Sequence, residues 1–258
     1  MAIFVQKCPN KCLFCHNPET INVCINCGDC ISTCPADALK MVNKQVVWDK
    51  EKCIDCDACI HTCKHLASPK ITYMDIEQLL TAIKKHQMFI KGITISGGEA
   101  MNYPEFLTKL FTEVQKLGLT CLIDSSGYFD FANYPELLAV TDGVMLDVKA
   151  YDQKFYKYLT GNDNAIVMHN LKYLLANNKL QEARTVLFPN NPQINQETVI
   201  AVAKIIQNQS VYKLLRYRPF GVRFEGLEAL GNTITSKEEA EKLVTISKKI
   251  GCLNTLLV

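Results

Sequence analysis

The sequence has no apolar run approaching the ~20 residues that a helix needs to cross a bilayer. Its first residues show no basic stretch followed by an apolar segment and a small-residue cleavage site, so export is not expected and a cytoplasmic location is. An excess of one charge is also missing, with 28 Lys and Arg against 26 Asp and Glu. A nucleic-acid or anionic-membrane surface would need a basic surplus, so neither partner is expected. Tryptophan occurs once, at Trp48, and beyond residue 63 cysteine is reduced to Cys121 and Cys252. Both of those lie on apolar segments and read as inert core thiols.

What is abundant is cysteine at the front of the chain. Of 13 in the 258 residues, 11 fall within the first 63. Their spacings are those of metal ligands, and without an export signal they are expected to be reduced and ligating. A disulfide framework and a set of zinc knuckles are the alternatives to iron–sulfur ligation.

Cys8, Cys12 and Cys15 form CPNKCLFC, spaced C-x3-C-x2-C, behind a short apolar strand Ala2-Ile3-Phe4-Val5. One loop thereby offers three soft thiolates, enough for three corners of a four-iron cubane and not the fourth. An open metal position separates a reactive centre from one that braces a fold. Cys24, Cys27, Cys30 and Cys34 then read C-x2-C-x2-C-x3-C before Pro35, and the spacing returns 29 residues later at Cys53, Cys56, Cys59 and Cys63. This duplication matches the bacterial ferredoxin run, in which the fourth cysteine of each run ligates the other cluster. Cys24, Cys27, Cys30 and Cys63 would hold one four-iron cluster, and Cys53, Cys56, Cys59 and Cys34 the second. Lys64 replaces the proline after the second run. Met41 to Trp48 alternates as a hairpin, with Trp48 read as packing for it.

Downstream, strands and helices alternate. Strands are predicted at 92–96, 119–124, 143–147, 183–188 and 213–218, the last being the final inward strand. Helices are predicted at 75–85, capped by Thr72 or Asp75, and at 103–116, 135–139, 154–159, 170–177, 196–207 and 236–250, where Ser236 and Glu239 form a capping box. With the first strand this makes six, an α/β chain whose length suits a partial (β/α)6 barrel. The expected organisation is barrel start over 1–22, a ferredoxin-like insert over 23–69, and the remaining barrel over 70–258.

Functional groups gather at the C-terminal ends of barrel strands. The cysteine loop, Ser96-Gly97-Gly98-Glu99, Asp124-Ser125, Asp147 with Lys149, and Arg218 all fall there. Gly97 and Gly98 suit close approach of a ligand to the backbone, though on these residues alone a tight turn with a solvated Glu99 is the favoured reading. Asp147 and Lys149 point to one side or form a solvated strand end. Arg184 would be an interior arginine needing a carboxylate, from a cofactor or from the fold itself. His16 reads as a loop residue.

CPNKCLFCHNP, ISGGEA, TCLIDSSG, VMLDVKA and LTGNDN together resemble the radical S-adenosylmethionine (SAM) enzymes, and within them the glycyl-radical-enzyme activating enzymes. The paired ferredoxin runs narrow the likeness to activases with auxiliary clusters, of the YjjW type. The resemblance covers the chain from Ala2 onward and implies three [4Fe-4S] clusters, with SAM bound at the open iron of the first. It implies SAM contacts from Phe14, Gly98, Glu99, Ser125, Lys149, Arg184 and Arg218, and a site for a monovalent cation at Asp124 and Asp147. It implies reductive cleavage of SAM and hydrogen abstraction from a glycine of a partner glycyl radical enzyme, with flavodoxin or ferredoxin as electron donor. The insert would relay electrons or shape the docking surface. Two departures stand out: Lys7 occupies the position before the first cysteine where glycine is usual, and Arg218 replaces a rim histidine. A radical SAM enzyme acting on another peptide or small molecule, and an electron-transfer iron–sulfur protein, are the alternatives.

Overall fold

The computed structural model describes residues 1–258. Strand β1 (Ala2–Val5) runs into the cysteine loop. An excursion follows, holding an antiparallel hairpin of β2 (Leu39–Val42) and β3 (Gln45–Trp48) and a short helix α1 (Ala58–Thr62). After α2 (Ile76–His86) the chain alternates: β4 (Gly92–Gly97), α3 (Pro104–Gln115), β5 (Thr120–Ser125), α4 (Pro135–Ala139) and β6 (Gly143–Asp147). It continues with α5 (Gln153–Thr160), α6 (Ala165–Ala176), β7 (Leu180–Leu187), α7 (Pro192–Ile206), β8 (Val211–Arg216), α8 (Phe224–Leu230), α9 (Lys237–Lys249) and β9 (Thr255–Leu257).

The large sheet has the order β1-β4-β5-β6-β7-β8-β9, and every neighbouring pair is parallel. Side chains alternate across a strand, so each strand presents two different faces. Ile93, Ile95, Cys121, Ile123, Val144, Leu146, Ala183, Tyr212 and Leu214 face the helices and are buried in the main core. On the other face Phe4, Ser96, Asp124, Asp147, Arg184 and Lys213 remain open to differing degrees. That face carries the polar chemistry.

The sheet has seven strands where six were expected. β9 is only three residues, too short for a periodic signal, and it pairs with Tyr212–Leu214 of β8. β8 is therefore not the last strand, and it stops at Arg216 instead of reaching Arg218, which precedes Pro219 and leaves the sheet. α8 escaped sequence reading because its seven residues FEGLEAL include a glycine and carry no N-cap side-chain bond. Asp75, not Thr72, caps α2 in a complete capping box with Gln78. At α9 only half the expected box forms: Ser236 accepts from the Glu239 backbone, while the Glu239 carboxylate accepts from Asn195 Nδ2 at 3.3 Å.

The excursion leaves and returns at one neck. Asn22 donates its backbone N–H to the Leu66 carbonyl at 2.9 Å and its side-chain amide to the His65 carbonyl at 2.8 Å. Inside, Cys30, Leu39 and Cys59 form a small core of their own, packed by Ile31, Cys34, Val46, Trp48 and Ile60. The 29-residue repeat is also a backbone repeat. Asn26 and Asp55, Gly28 and Asp57, and Asp37 and Leu66 all take positive φ at matching positions. Polar side chains tolerate that region better than the apolar Leu66 does.

Candidate functional site

The loop carrying Cys8, Cys12 and Cys15 is clamped from two sides. From the end of α5, the Thr160 and Leu159 carbonyls accept from Lys11 N and Leu13 N, and Asn162 Nδ2 donates to Asn10 Oδ1 at 2.8 Å. From the loop after β8, Arg223 Nη2 donates to the Cys12 carbonyl at 3.2 Å. α8 presses so close that a Cβ at Gly226 would meet the Leu13 carbonyl at 1.9 Å. Burial pushes the Cys8 thiol up to about 12 and Cys12 to about 11, so any metal bound there would have to displace their protons. His16 lies in the loop as read, its Nε2 at 2.9 Å from the Arg218 carbonyl.

Glu99 is not the solvated residue of a surface turn; it is 1% exposed. It accepts from Ser125 Oγ at 2.8 Å, from Ser126 N at 2.8 Å and Oγ at 2.5 Å, and from Met101 N. Burial raises its pKa, and the serine donors oppose that rise. The close backbone approach at Gly97 and Gly98 is to the chain's own strand β1 and its continuation. A Cβ would meet the Val5 carbonyl at 2.4 Å and the Lys7 carbonyl at 2.3 Å, respectively. This contact stitches the Glu99 turn to the cysteine loop, with Glu99 N donating to the Lys7 carbonyl. Lys7 itself sits at φ 78°, the backbone region that favours glycine.

A chain of charges runs from Lys149, just past β6, back along the open face of β5 to β8. Lys149 is buried, 3.0 Å from Asp147 Oδ2, with its ammonium 5.3 Å from the centre of the Phe14 ring. Burial works against its charge, yet Asp147 foremost, with Cys12 and Tyr156 beside it, holds its pKa well above the ordinary value. Phe14 packs edge-on against Phe188 at 4.9 Å. Asp124 accepts from Ser96 Oγ at 2.9 Å and from Arg184 Nη1 at 3.1 Å. Its pKa is raised, by burial first and by Asp147 second. Arg184 also pairs with Glu182, which in turn holds Lys213. Its carboxylate partners thus come from the fold. Arg218 is exposed, two residues past β8, and its carbonyl is its contact to the cysteine loop.

The other eight cysteines divide between two pockets of similar size. One, of about 370 Å³, is lined by Cys24, Cys27, Cys30 and Cys63; the other, of about 320 Å³, by Cys34, Cys53, Cys56 and Cys59. Each therefore draws three thiols from one run and one from the other. No three His, Cys, Asp or Glu side chains converge closely enough to share a single ion.

A family model described as the radical SAM superfamily matches residues 2–206. The chain belongs to the radical SAM superfamily. A protein of Haemophilus influenzae named as a putative glycyl-radical enzyme activating enzyme is 28% identical over 99% of this chain and 88% of its own length. The trans-4-hydroxy-L-proline dehydratase activating enzyme of Clostridioides difficile is 31% identical over 67% of this chain and 63% of its own. Among solved structures, a domain of a pyruvate-formate lyase-activating enzyme from Bacteroides vulgatus aligns with TM-score 0.53 and 17% identity, over 65% of this chain and 98% of that one. SuiB of Streptococcus suis, bound to its precursor peptide SuiA, aligns with TM-score 0.64 and 11% identity, over all of this chain and 48% of that one. These two likenesses concern the fold.

Radical SAM membership implies a [4Fe-4S] cluster and SAM, and the residues present fit both. Asn10 Nδ2 and Arg223 Nε are buried donors without a protein partner, on and against the cysteine loop, where an anionic cluster offers acceptors. Sequence reading did not assign roles to Ser126, Asn162, Arg223, Glu182 or Lys213. Asn162 lay within the LTGNDN motif, and Glu182 stands two residues before Arg184 on one strand, a spacing that would have revealed it. Arg223 left no sequence signal.

Proposed function

We propose that this radical SAM chain activates a glycyl radical enzyme, using three [4Fe-4S] clusters, and that it is an auxiliary-cluster activase of the YjjW type. Cys8, Cys12 and Cys15 would hold the cluster that receives SAM. The observation that carries this reading is that these three have no fourth cysteine. The eight others share two pockets of their own, and Cys121 and Cys252 are fully buried in the helix-covered core. An electron-transfer protein would need that fourth ligand. Relatives named as activating enzymes of glycyl radical enzymes support the substrate class.

When bound, the group supplies one-electron reductive cleavage of SAM and so a carbon radical able to take a hydrogen atom from glycine. The chain's own part is placement. Glu99 presents a buried carboxylate to the SAM ammonium, and Ser125 orients that carboxylate while Gly98 lets the turn lie against the loop. Phe14 and Lys149 wall the other side. Asp124 and Asp147, flanked by Arg184, would hold a monovalent cation near the SAM carboxylate. Arg218 stands on the rim as a further contact to SAM. The ferredoxin-like excursion over 23–69, set between barrel segments 1–22 and 70–258, would take electrons from flavodoxin or ferredoxin. Cys27 and Cys56, one in each pocket, are exposed, which suits donor access.

Anaerobic reconstitution should give about twelve irons per chain. Reduction with SAM present should release 5′-deoxyadenosine and, with a partner glycyl radical enzyme, produce a glycyl radical signal by electron paramagnetic resonance. Intact SAM beside reduced, iron-replete protein would refute the reading. If the excursion relays electrons, Cys27→Ala slows flavodoxin-driven turnover and spares the dithionite-driven reaction; equal loss in both removes the relay.

A further inference from the structure

The two cysteine pockets repeat the same spacing but differ in what β3 contributes to each. Val46 lines the pocket of Cys24, Cys27, Cys30 and Cys63, while Trp48, two residues on and on the same face of the strand, lines the pocket of Cys34, Cys53, Cys56 and Cys59. The indole Nε1 of Trp48 is buried and has no hydrogen-bond partner. A buried N–H without an acceptor is costly, so native structures rarely keep one unless a bound group or water accepts it. At the matching place in the first pocket Val46 offers no donor, and the donors among that pocket's lining residues, Lys64 and His65, come from the chain that follows Cys63.

We propose that the Trp48 indole N–H donates to a sulfur of the cluster held by Cys34, Cys53, Cys56 and Cys59, and so raises the reduction potential of that cluster alone. The proposal rests on the cluster reading above. A donor to sulfur stabilises the more negative, reduced state, and hydrogen bonds to sulfur are among the determinants of iron–sulfur potentials. The charges nearby do not substitute for it. Lys70 lines the same pocket but is committed to Asp57 at 2.6 Å and to Asp55 at 3.5 Å. The residues at the equivalent repeat positions, Gly28 and Asn26, are neutral, while Asp29 and Lys64 bring one charge of each sign to the first pocket. The two clusters therefore differ for more than one reason, and the test compares one pocket with and without its indole.

Reconstituted protein carrying Cys24→Ala and Cys27→Ala, which empties the first pocket, is titrated with dithionite with and without Trp48→Phe. The cluster at Cys8, Cys12 and Cys15 is distinguished by its spectral response to SAM. The expected result is that Trp48→Phe keeps its iron and lowers the reduced-to-oxidised ratio of the second-pocket cluster about tenfold at fixed potential, equivalent to about 59 mV for one electron. The SAM-responsive cluster is unmoved. In the otherwise unaltered chain, 15N-labelling of its single tryptophan should give a nitrogen hyperfine coupling to the reduced second-pocket cluster, a measurement that needs no variant. An unchanged potential with iron retained, or no coupling at an iron-replete pocket, overturns the role of Trp48 and leaves the cluster assignment standing. Failure of the unaltered protein to take iron at this pocket overturns both.

Discussion

Arg184 on β7 reaches across the sheet to Asp124 on β5, its Nη1 donating at 3.1 Å, and so ties together strands that do not neighbour each other. The pair matters because Asp124 also feels Asp147, and the guanidinium is what keeps two carboxylates tolerable in one partly buried place.

Arg184→Met should therefore destabilise the protein by about 2–3 kcal/mol, somewhat less than loss of a fully buried partner. Adding Asp124→Asn should restore part of the loss, because the stranded charge is then gone. Thermal unfolding of the three variants checks this, and additive effects would sink it.

Glu99 gives a prediction with a defined pH sign. Its pKa is raised by burial, so its contribution to folding is fullest below the ordinary carboxylate value and is lost as pH rises through its own raised value. Glu99→Gln should then be more stable than the unaltered apo protein above that range, the gap closing as pH falls toward 4.5, the ordinary value. The same variant should bind SAM at least about tenfold more weakly by calorimetry, since a charge-assisted bond to the ammonium is lost. Equal stability at both pH extremes would contradict the first part.

Lys7 holds a left-handed backbone at φ 78° on an exposed position, where a side chain is strained. Lys7→Gly should gain about 0.5–1 kcal/mol after allowing for glycine's looser unfolded state. That corresponds to a rise of roughly 1–4 °C in melting temperature. A fall in melting temperature would show that the lysine side chain contributes something the backbone argument omits.

The crossed pairing of cysteines can be read from which cluster each variant loses. Cys63→Ser should remove the cluster shared with Cys24, Cys27 and Cys30, although Cys63 belongs to the second run. Cys34→Ser should remove the other. Each variant should keep roughly two thirds of the iron and should lose different spectral components. Loss of the components of its own run in either case would reverse the assignment.

The sequence made the parallel sheet and its rim legible because period-two strands and capped helices leave strong local signals, as at Asp75 and Gln78. β9 was invisible because three residues cannot display a period, and α8 because its residues neither cap nor alternate clearly. The grouping of the thiols into pockets is legible for a different reason: three of each four lie close along one loop, and the exchange of Cys34 and Cys63 is the long-range step. What could not be read were polar partnerships across the fold. That Glu99 is enclosed by Ser125 and Ser126, and that Arg223 grips the Cys12 carbonyl, depend on loops meeting from distant parts of the chain. A four-residue motif is indifferent to whether its carboxylate ends in water or in the core.

The neck at Asn22 has an architectural consequence. Because its amide groups bridge to His65 and Leu66, the two ends of the cysteine-rich excursion sit side by side, and no sheet strand threads through it. A segment held this way can be varied in length or removed without moving the ends that the sheet needs. Joining Asn22 and Leu66 directly would leave the order of the seven strands as it is.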